Sequence, residues 1–324
     1  MRSSLSTIVI GGLNTDIVAL GAKKLLQAGE HTYANQLHIG AGGKSRNIAQ
    51  MLAVLSGKNK IAMIGKTSKD PYGLWKLPVN SLDKAGVNIE HITIASFEET
   101  KQFPGIALIP VDKEGKNQIY VLPGINNDFL PKDIENADEL FETVASNKGM
   151  LILTLELPFQ TALHAIKKTN KLGIKVLFDP GGIDVEQSYK EILKQRIFLL
   201  KPNEHEAQIL TGVKVKNYES AKIAAHKLLD EGIENVFITI GSQGGYLFND
   251  TTEKHIPVPK IKISSSAKDE TGCGDQAMAA FAYAINEGKT ILEAANMAIL
   301  AGTLQFYKPG IKPITREELK ARSL

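Results

Sequence analysis

The residue types best suited to chemistry fall in Asp269-Glu270-Thr271-Gly272-Cys273-Gly274-Asp275, followed by the small-residue run Gln276-Ala277-Met278-Ala279-Ala280-Phe281. That run predicts a helix with Asp275 at its first position and Gly272, Cys273 and Gly274 just before it. Backbone N–H groups at a helix N-terminus point outward unpaired, and the macrodipole adds about half a positive charge there. Glycines let those amides approach an anion closely. Asp275 beside such a cradle could take a proton from an attacking hydroxyl, and cradle plus base is the equipment of phosphoryl transfer. A simple turn needs no acid at both ends, so Asp269 strengthens the functional reading. The same string mimics a dinucleotide fingerprint, Gly272-x-Gly274-x-x-Ala277. That fingerprint belongs to a first βα turn with an acid ending the next strand, and neither condition holds here.

Four further stretches carry candidate groups. Gly40-Ala41-Gly42-Gly43-Lys44-Ser45-Arg46-Asn47 ends like a P-loop, but His38 stands where that loop needs its first glycine. Either Gly42 and Gly43 admit a substrate close to backbone while Lys44 and Asn47 bond its hydroxyls, or the segment only opens a helix. Gly12-Leu13-Asn14-Thr15-Asp16 follows an apolar run. In an extended chain Asn14 and Asp16 share one face, a pairing suited to a polyol or to a turn. Lys201-Pro202-Asn203-Glu204-His205-Glu206 has capping-box spacing. Its functional reading has Asn203 and Glu206 acting through water on a magnesium–nucleotide complex. Thr239-Ile240-Gly241-Ser242-Gln243-Gly244-Gly245 offers donors at another strand end, for nucleotide contact or as a plain hairpin loop.

Short apolar runs alternate with amphipathic stretches, the pattern of βαβ units around a parallel sheet. Strands are expected over Thr7–Ile10, Lys60–Ile64, Met150–Leu155, Lys175–Phe178, Ile197–Leu200 and Val236–Ile240. Helices are expected over Ser45–Leu55, Pro71–Ala85, Phe159–Leu172, Glu204–Leu210, Glu219–Glu231 and Ile291–Phe306. Segments of about 15–39 and 91–126 break the alternation, and Gly105–Val111, the turn Asp112–Gly115 and Gln118–Leu122 read as a hairpin. A small β lid over one edge of a single α/β domain spanning 1–324 is therefore expected.

The chain has 324 residues, 43% apolar and 23% charged, which suits a globular enzyme rather than a disordered chain. A net charge of +3 gives no case for nucleic acid or an anionic membrane. One cysteine excludes an internal disulfide framework. With no apolar stretch long enough for a signal peptide or a membrane span, a cytoplasmic setting is expected.

Taken in order, these five sites resemble the ribokinase-like, or PfkB, family of carbohydrate kinases, from Asn14 to about Gly310. The two family signatures look like Gly42–Ala49 and Asp269–Asp275. The resemblance implies a central, mostly parallel sheet flanked by helices, a β lid that often mediates a homodimer, and ATP with Mg²⁺ as cofactors. It implies Asp275 as catalytic base, with Gly272, Cys273 and Gly274 forming the anion hole. It assigns Asn14, Asp16, Gly42, Gly43, Lys44, Asn47, Glu156 and Asp269 to the sugar, with Ile106 of the lid covering it. Asn203, Thr239, Gly241, Gly244 and Asn296 fall to the nucleotide, and Glu206 to Mg²⁺ through water. Ribose is the leading acceptor, while Arg46-Asn47-Ile48-Ala49-Gln50 is also similar to pseudouridine kinases. Cys273 replaces the family's usual Ala, either as a space filler or as a thiol activated by the helix N-terminus. The monovalent-cation loop of ribokinases would fall near Gln305–Gly310, and Phe306-Tyr307-Lys308-Pro309-Gly310 matches it poorly, leaving K⁺ open. The rival of another class is a silent sugar- or nucleotide-sensing protein, against which the intact Asp275 and its glycines weigh.

Overall fold

The computed structural model describes residues 4–261 and 268–322. Its strands are β1 (Thr7–Ile10), β2 (Asn14–Ala22), β3 (Gln36–Gly42), β4 (Ile61–Lys69), β5 (Ile92–Ser96), β6 (Gly105–Asp112), β7 (Tyr120–Leu122), β8 (Met150–Leu153), β9 (Lys175–Phe178), β10 (Leu199–Leu200), β11 (Val236–Ile240), β12 (Gly244–Asn249) and β13 (Thr252–Ile256). The longer helices are α1 (Lys44–Ser56), α2 (Lys76–Ala85), α3 (Asp138–Ser146), α4 (Phe159–Lys171), α5 (Glu204–Thr211), α6 (Tyr218–Asp230), α7 (Cys273–Asn286) and α8 (Ile291–Phe306).

Nine strands form one sheet in the order β13-β12-β11-β10-β9-β8-β1-β4-β5, parallel from β11 to β5 and closed at the other edge by antiparallel β12 and β13. Both faces are covered, and the side-chain period of two splits each strand between them. Ile8, Ile10, Leu151, Leu153, Val176 and Phe178 pack with α3, α4 and α6. Val9, Met63, Ile152, Leu177 and Phe237 pack with α1, α7 and α8. This is the ribokinase-like α/β architecture that the sequence implied.

The lid is a separate sheet in the order β3-β2-β6-β7, with β2 and β3 antiparallel, β2 and β6 parallel, and β6 and β7 a hairpin. Its turn is held by Asp112 Oδ1, which accepts from Glu114 N and Lys116 N at 2.9 Å each. Part of the expected lid belongs elsewhere. Ile92–Ser96 pairs with β4 in the main sheet, from Gly65↔Ile92 to Lys69↔Ser96, because β4 runs on past β1 and offers a free edge. The helix expected from Pro71 begins only at Lys76. Asp70 accepts from Tyr72 N and Trp75 N at 2.9 and 3.0 Å and holds the preceding residues in turns.

The two cores meet the sheet through large aromatics. Phe281 of α7 is fully buried and its ring lies 6.0 Å from that of Phe237 on β11. Phe281→Ala should cost about 3–5 kcal/mol, the usual range for emptying such a site. Urea unfolding of the two proteins measures it, and an unchanged midpoint would mean that the helix layer does not depend on this contact.

Candidate active site

The candidate residues gather where the parallel strands end, the edge at which α/β sheets carry ligands. The start of β2 brings Asn14 and Asp16, and the loop after β8 brings Glu156. Residues after β10 bring Lys201 and Asn203, and the end of β11 brings Thr239 and then Gly241.

Asp275 is the focus. It lies at the third position of α7 rather than the first, because Gly272 takes a left-handed conformation (φ 74°) as N-cap and the helix starts at Cys273. Its carboxylate is buried, and Asn47 Nδ2 donates to its Oδ2 at 2.7 Å. Lys44 Nζ stands 3.5 Å from its Oδ1. Those charges hold the Lys44 ammonium well above the usual lysine range, Asp275 foremost. The Lys44 side chain fits only because Gly181 is bare, since a Cβ there would lie 2.3 Å from its Cδ and Cε. Asn47 Oδ1 is buried without a partner, an acceptor for which a substrate hydroxyl would be a donor.

At the acceptor end, α1 has no acid in its first turn, and Glu156 supplies one from β8, with Lys44 N donating to its Oε2 at 2.6 Å. Burial pushes the Glu156 carboxyl up to about 7 despite the Lys44 ammonium. Asn14 Oδ1 accepts from Asn126 Nδ2 at 2.8 Å, so the turn at Gly124–Asp128 braces it. Asp16 rests directly over Gly42, where a Cβ would meet its Oδ1 at 1.8 Å. Burial raises the Asp16 carboxyl against the pull of Arg46. Arg46 is itself buried, donating to Gly42 O at 3.2 Å, to Ala41 O and to Gln50 Oε1, and burial pushes it down to about 10. Gly43 (φ 93°) passes under the Gly12 carbonyl, leaving no room for a side chain.

Two residues that sequence reasoning left unassigned lie beside Gly274 and Lys44. Lys201 and Asp179 form a buried ion pair at 2.8 Å, and Lys201 Nζ lies 3.9 Å from where a Gly274 Cβ would be. Burial would raise Asp179, but Lys201 and Lys44 hold its carboxyl below the usual range. Both follow buried strands, β9 and β10, and that position was the available signal.

At the start of α5, Asn203 Oδ1 accepts from Glu206 N at 2.8 Å and Glu206 Oε2 accepts from Asn203 N at 2.9 Å, so the capping box is real. Glu206 keeps its other oxygen uncommitted, and burial, then the Asp179 charge, raises its carboxyl. Thr239 N donates to Pro202 O at 3.0 Å, which sets Thr239 beside Asn203. Gly241 opens the link to β12, and Gly244 (φ 90°) packs where a Cβ would strike Ile256 O. Asn296 is exposed on α8, with Nδ2 donating to Leu292 O at 2.8 Å.

Three expected site residues have surroundings that the sequence did not show. Ile106 pairs opposite Thr15, one residue out of step with Asp16, and so lies on the other face of the lid; Ala107 is the β6 residue beside Asp16. The Asp269 carboxylate also bonds backbone, its Oδ1 accepting from Thr271 N at 2.9 Å and its Oδ2 from Gly310 N at 2.7 Å, so it ties two loops together. Cys273 is not an activated thiol. Burial, reinforced by Asp269, Glu270 and Asp275, pushes it up to about 12, overriding the helix N-terminus.

The chain belongs to the pfkB family of carbohydrate kinases, whose description "pfkB family carbohydrate kinase" it matches over residues 5–315, and it is a phosphotransferase of that family. It is 31% identical to the ribokinase of Arabidopsis thaliana over 94% of this chain and 77% of that one. It is 30% identical to the ribokinase of Haemophilus influenzae over 98% and 97%, and 29% identical to the deoxyribokinase of Salmonella typhi over 90% and 89%. Among solved structures, the ribokinase of Thermotoga maritima superposes with TM-score 0.81 at 29% identity, covering 98% of each chain. The Arabidopsis ribokinase complexed with ribose and ATP gives 0.83 at 27% identity, also covering 98% of each.

The buried Glu156 has a measurable consequence. A carboxyl whose native pKa lies above its unfolded value of 4.5 holds an extra proton in the native state. Its contribution to stability is full below that value and is lost as pH rises through about 7. Glu156→Gln keeps an oxygen for Lys44 N–H but cannot titrate. Its urea midpoint should fall less than wild type over this window, and identical pH slopes would contradict the assignment.

Proposed function

We propose that this carbohydrate kinase transfers the γ-phosphoryl group of ATP to a primary hydroxyl of ribose or a ribose-like pentose. The observation that carries the reading is Asp275, buried at the mouth of α7 and held by Asn47 and Lys44 from a different helix. The relatives named for ribokinase and deoxyribokinase, and the Arabidopsis structure with ribose and ATP, support the same donor and acceptor classes.

Asn14, Asp16 and Asn47 orient the sugar, with Gly42 and Gly43 letting it approach the backbone. Asp275 takes the proton of the attacking hydroxyl as its oxygen bonds to phosphorus and the bond to ADP breaks. The amides of Gly272 and Gly274, with the Lys44 and Lys201 ammoniums, stabilise charge on the group in flight, while the expected Cys273 amide is spent on Glu270 O at 3.2 Å. Asn203, Thr239, Gly241 and Gly244 border the nucleotide. Among the described residues no cluster of His, Cys, Asp and Glu forms a direct metal cage, whereas the free oxygen of Glu206 suits an ion held through its waters. Bound there, Mg²⁺ would neutralise charge on the triphosphate. The lid excludes water as it covers the acceptor.

The lid also supports a homodimer. Ile39, Ile17, Leu108 and Tyr120 align across its strands on the face away from Asp16, and Leu37 and Leu122 extend the exposed apolar patch. A second copy would cover it. No described helix is long and apolar enough to cross a membrane, and the small net charge offers nucleic acid no footprint. A cytoplasmic enzyme fits the lone, inert Cys273.

A coupled ADP-release assay over ribose, 2-deoxyribose, hexoses and pseudouridine tests the acceptor, with ribose expected fastest. Binding without turnover of any sugar would favour the sensor reading. Asp275→Asn should lose about 10²- to 10⁴-fold in kcat, the range for a positioned base, while calorimetry finds nucleotide affinity kept. Undiminished transfer would remove the base from this residue.

A further inference from the structure

The family's monovalent-cation loop falls at Gln305–Gly310, and the residues there do not fit a cation. Gln305, at the end of α8, is fully buried. Its Nε2 donates to Gly310 O at 2.7 Å and to Thr271 O at 3.5 Å, so N–H groups occupy the point where carbonyl oxygens converge. Asp269 ties the same two loops, accepting from Gly310 N and Thr271 N while its own N–H donates to Phe306 O at 2.9 Å. The ammonium of Lys308 is turned to Glu318 and Pro313 O, so its charge is paired with that carboxylate.

We propose that the Gln305 side-chain amide stands in for the monovalent cation, making this kinase independent of K⁺. The inference rests on reading Gly272–Gly274 as the anion hole. The peptide plane links the two features: Thr271 C=O and Gly272 N–H belong to one rigid trans unit, so drawing the oxygen toward Gln305 aims the N–H the opposite way. Gln305 is thus a positioning residue for the anion hole. A neutral bridge performs the task that a bound ion would otherwise perform.

The test uses the full chain, freed of alkali metals in tetramethylammonium buffer, then given KCl, NaCl or CsCl at equal ionic strength. A cation bound only by the native state would raise the unfolding temperature. No cation-specific rise is expected, and turnover should change less than about twofold, far below the effect of losing an anion-hole donor. Gln305→Ala should lower kcat by about 10- to 100-fold with KM for the acceptor unchanged, as loss of donor alignment requires. A K⁺-specific gain in stability or turnover of the unaltered protein overturns the proposal, because the amide would then have turned its Oε1 to join an oxygen cage. An unaltered kcat in a folded Gln305→Ala also overturns it. Should that variant not fold, the salt comparison decides alone. Failure of every sugar to turn over in any salt would count against the proposed reaction, while the unfolding series still judges the bridge.

Discussion

Two helix N-termini must meet at one carboxylate for this site to exist. Asn47 and Lys44 open α1, Asp275 opens α7, and the 2.7 Å hydrogen bond between Asn47 and Asp275 spans 228 residues of sequence. A buried carboxylate is costly unless it is paired and hydrogen-bonded. Here the pairing comes from the helix packed beside it, so the relative placement of α1 and α7 and the state of the base are one constraint. The bare glycines follow from it. Gly181 leaves space for the Lys44 chain, Gly42 lets Asp16 lie flat on β3, and Gly43 lets α1 start directly beneath the β1–β2 turn.

Around that contact the charges alternate. Lys44 faces Asp275, and Lys201 faces Asp179, with Glu156 and Glu206 at the two ends. Fixed, water-poor charges of this kind need little reorganisation when a phosphoryl group passes between them. The raised carboxyls of Glu156, Glu206 and Asp16 and the depressed Asp179 are consequences of the same crowding: burial lifts the first three, whereas Lys201 and Lys44 outweigh it at Asp179. The apolar core supplies the low dielectric; the strand ends supply the geometry.

Much of this was legible in the chain. The apolar runs at Thr7–Ile10 and Val236–Ile240 became strands at those positions, and the spacing of Asn203 and Glu206 became a capping box. Local pattern also marked Asp275 and the glycines before it. It could not find Asp179, which has no motif and matters only because Lys201 of the neighbouring strand lies against it. It misplaced Ile106, since strand register is invisible until β2 and β6 pair, and a shift of one residue reverses the face. It left Cys273 open between a space filler and an activated thiol, a choice on which the tertiary burial of α7 outweighs the dipole of a helix end.

By itself, then, the sequence determined the alternation of strands and helices, the two sugar-kinase signatures and the candidacy of Asp275, because periodicity, capping and turn chemistry act over a few residues. Tertiary structure decided which helix and which lysine hold Asp275, that Ile92–Ser96 joins the main sheet, and that Asp269 and Gln305 bind loops. Those outcomes depend on burial and on contacts between distant segments, where small differences in packing choose among partners that the local pattern leaves equal.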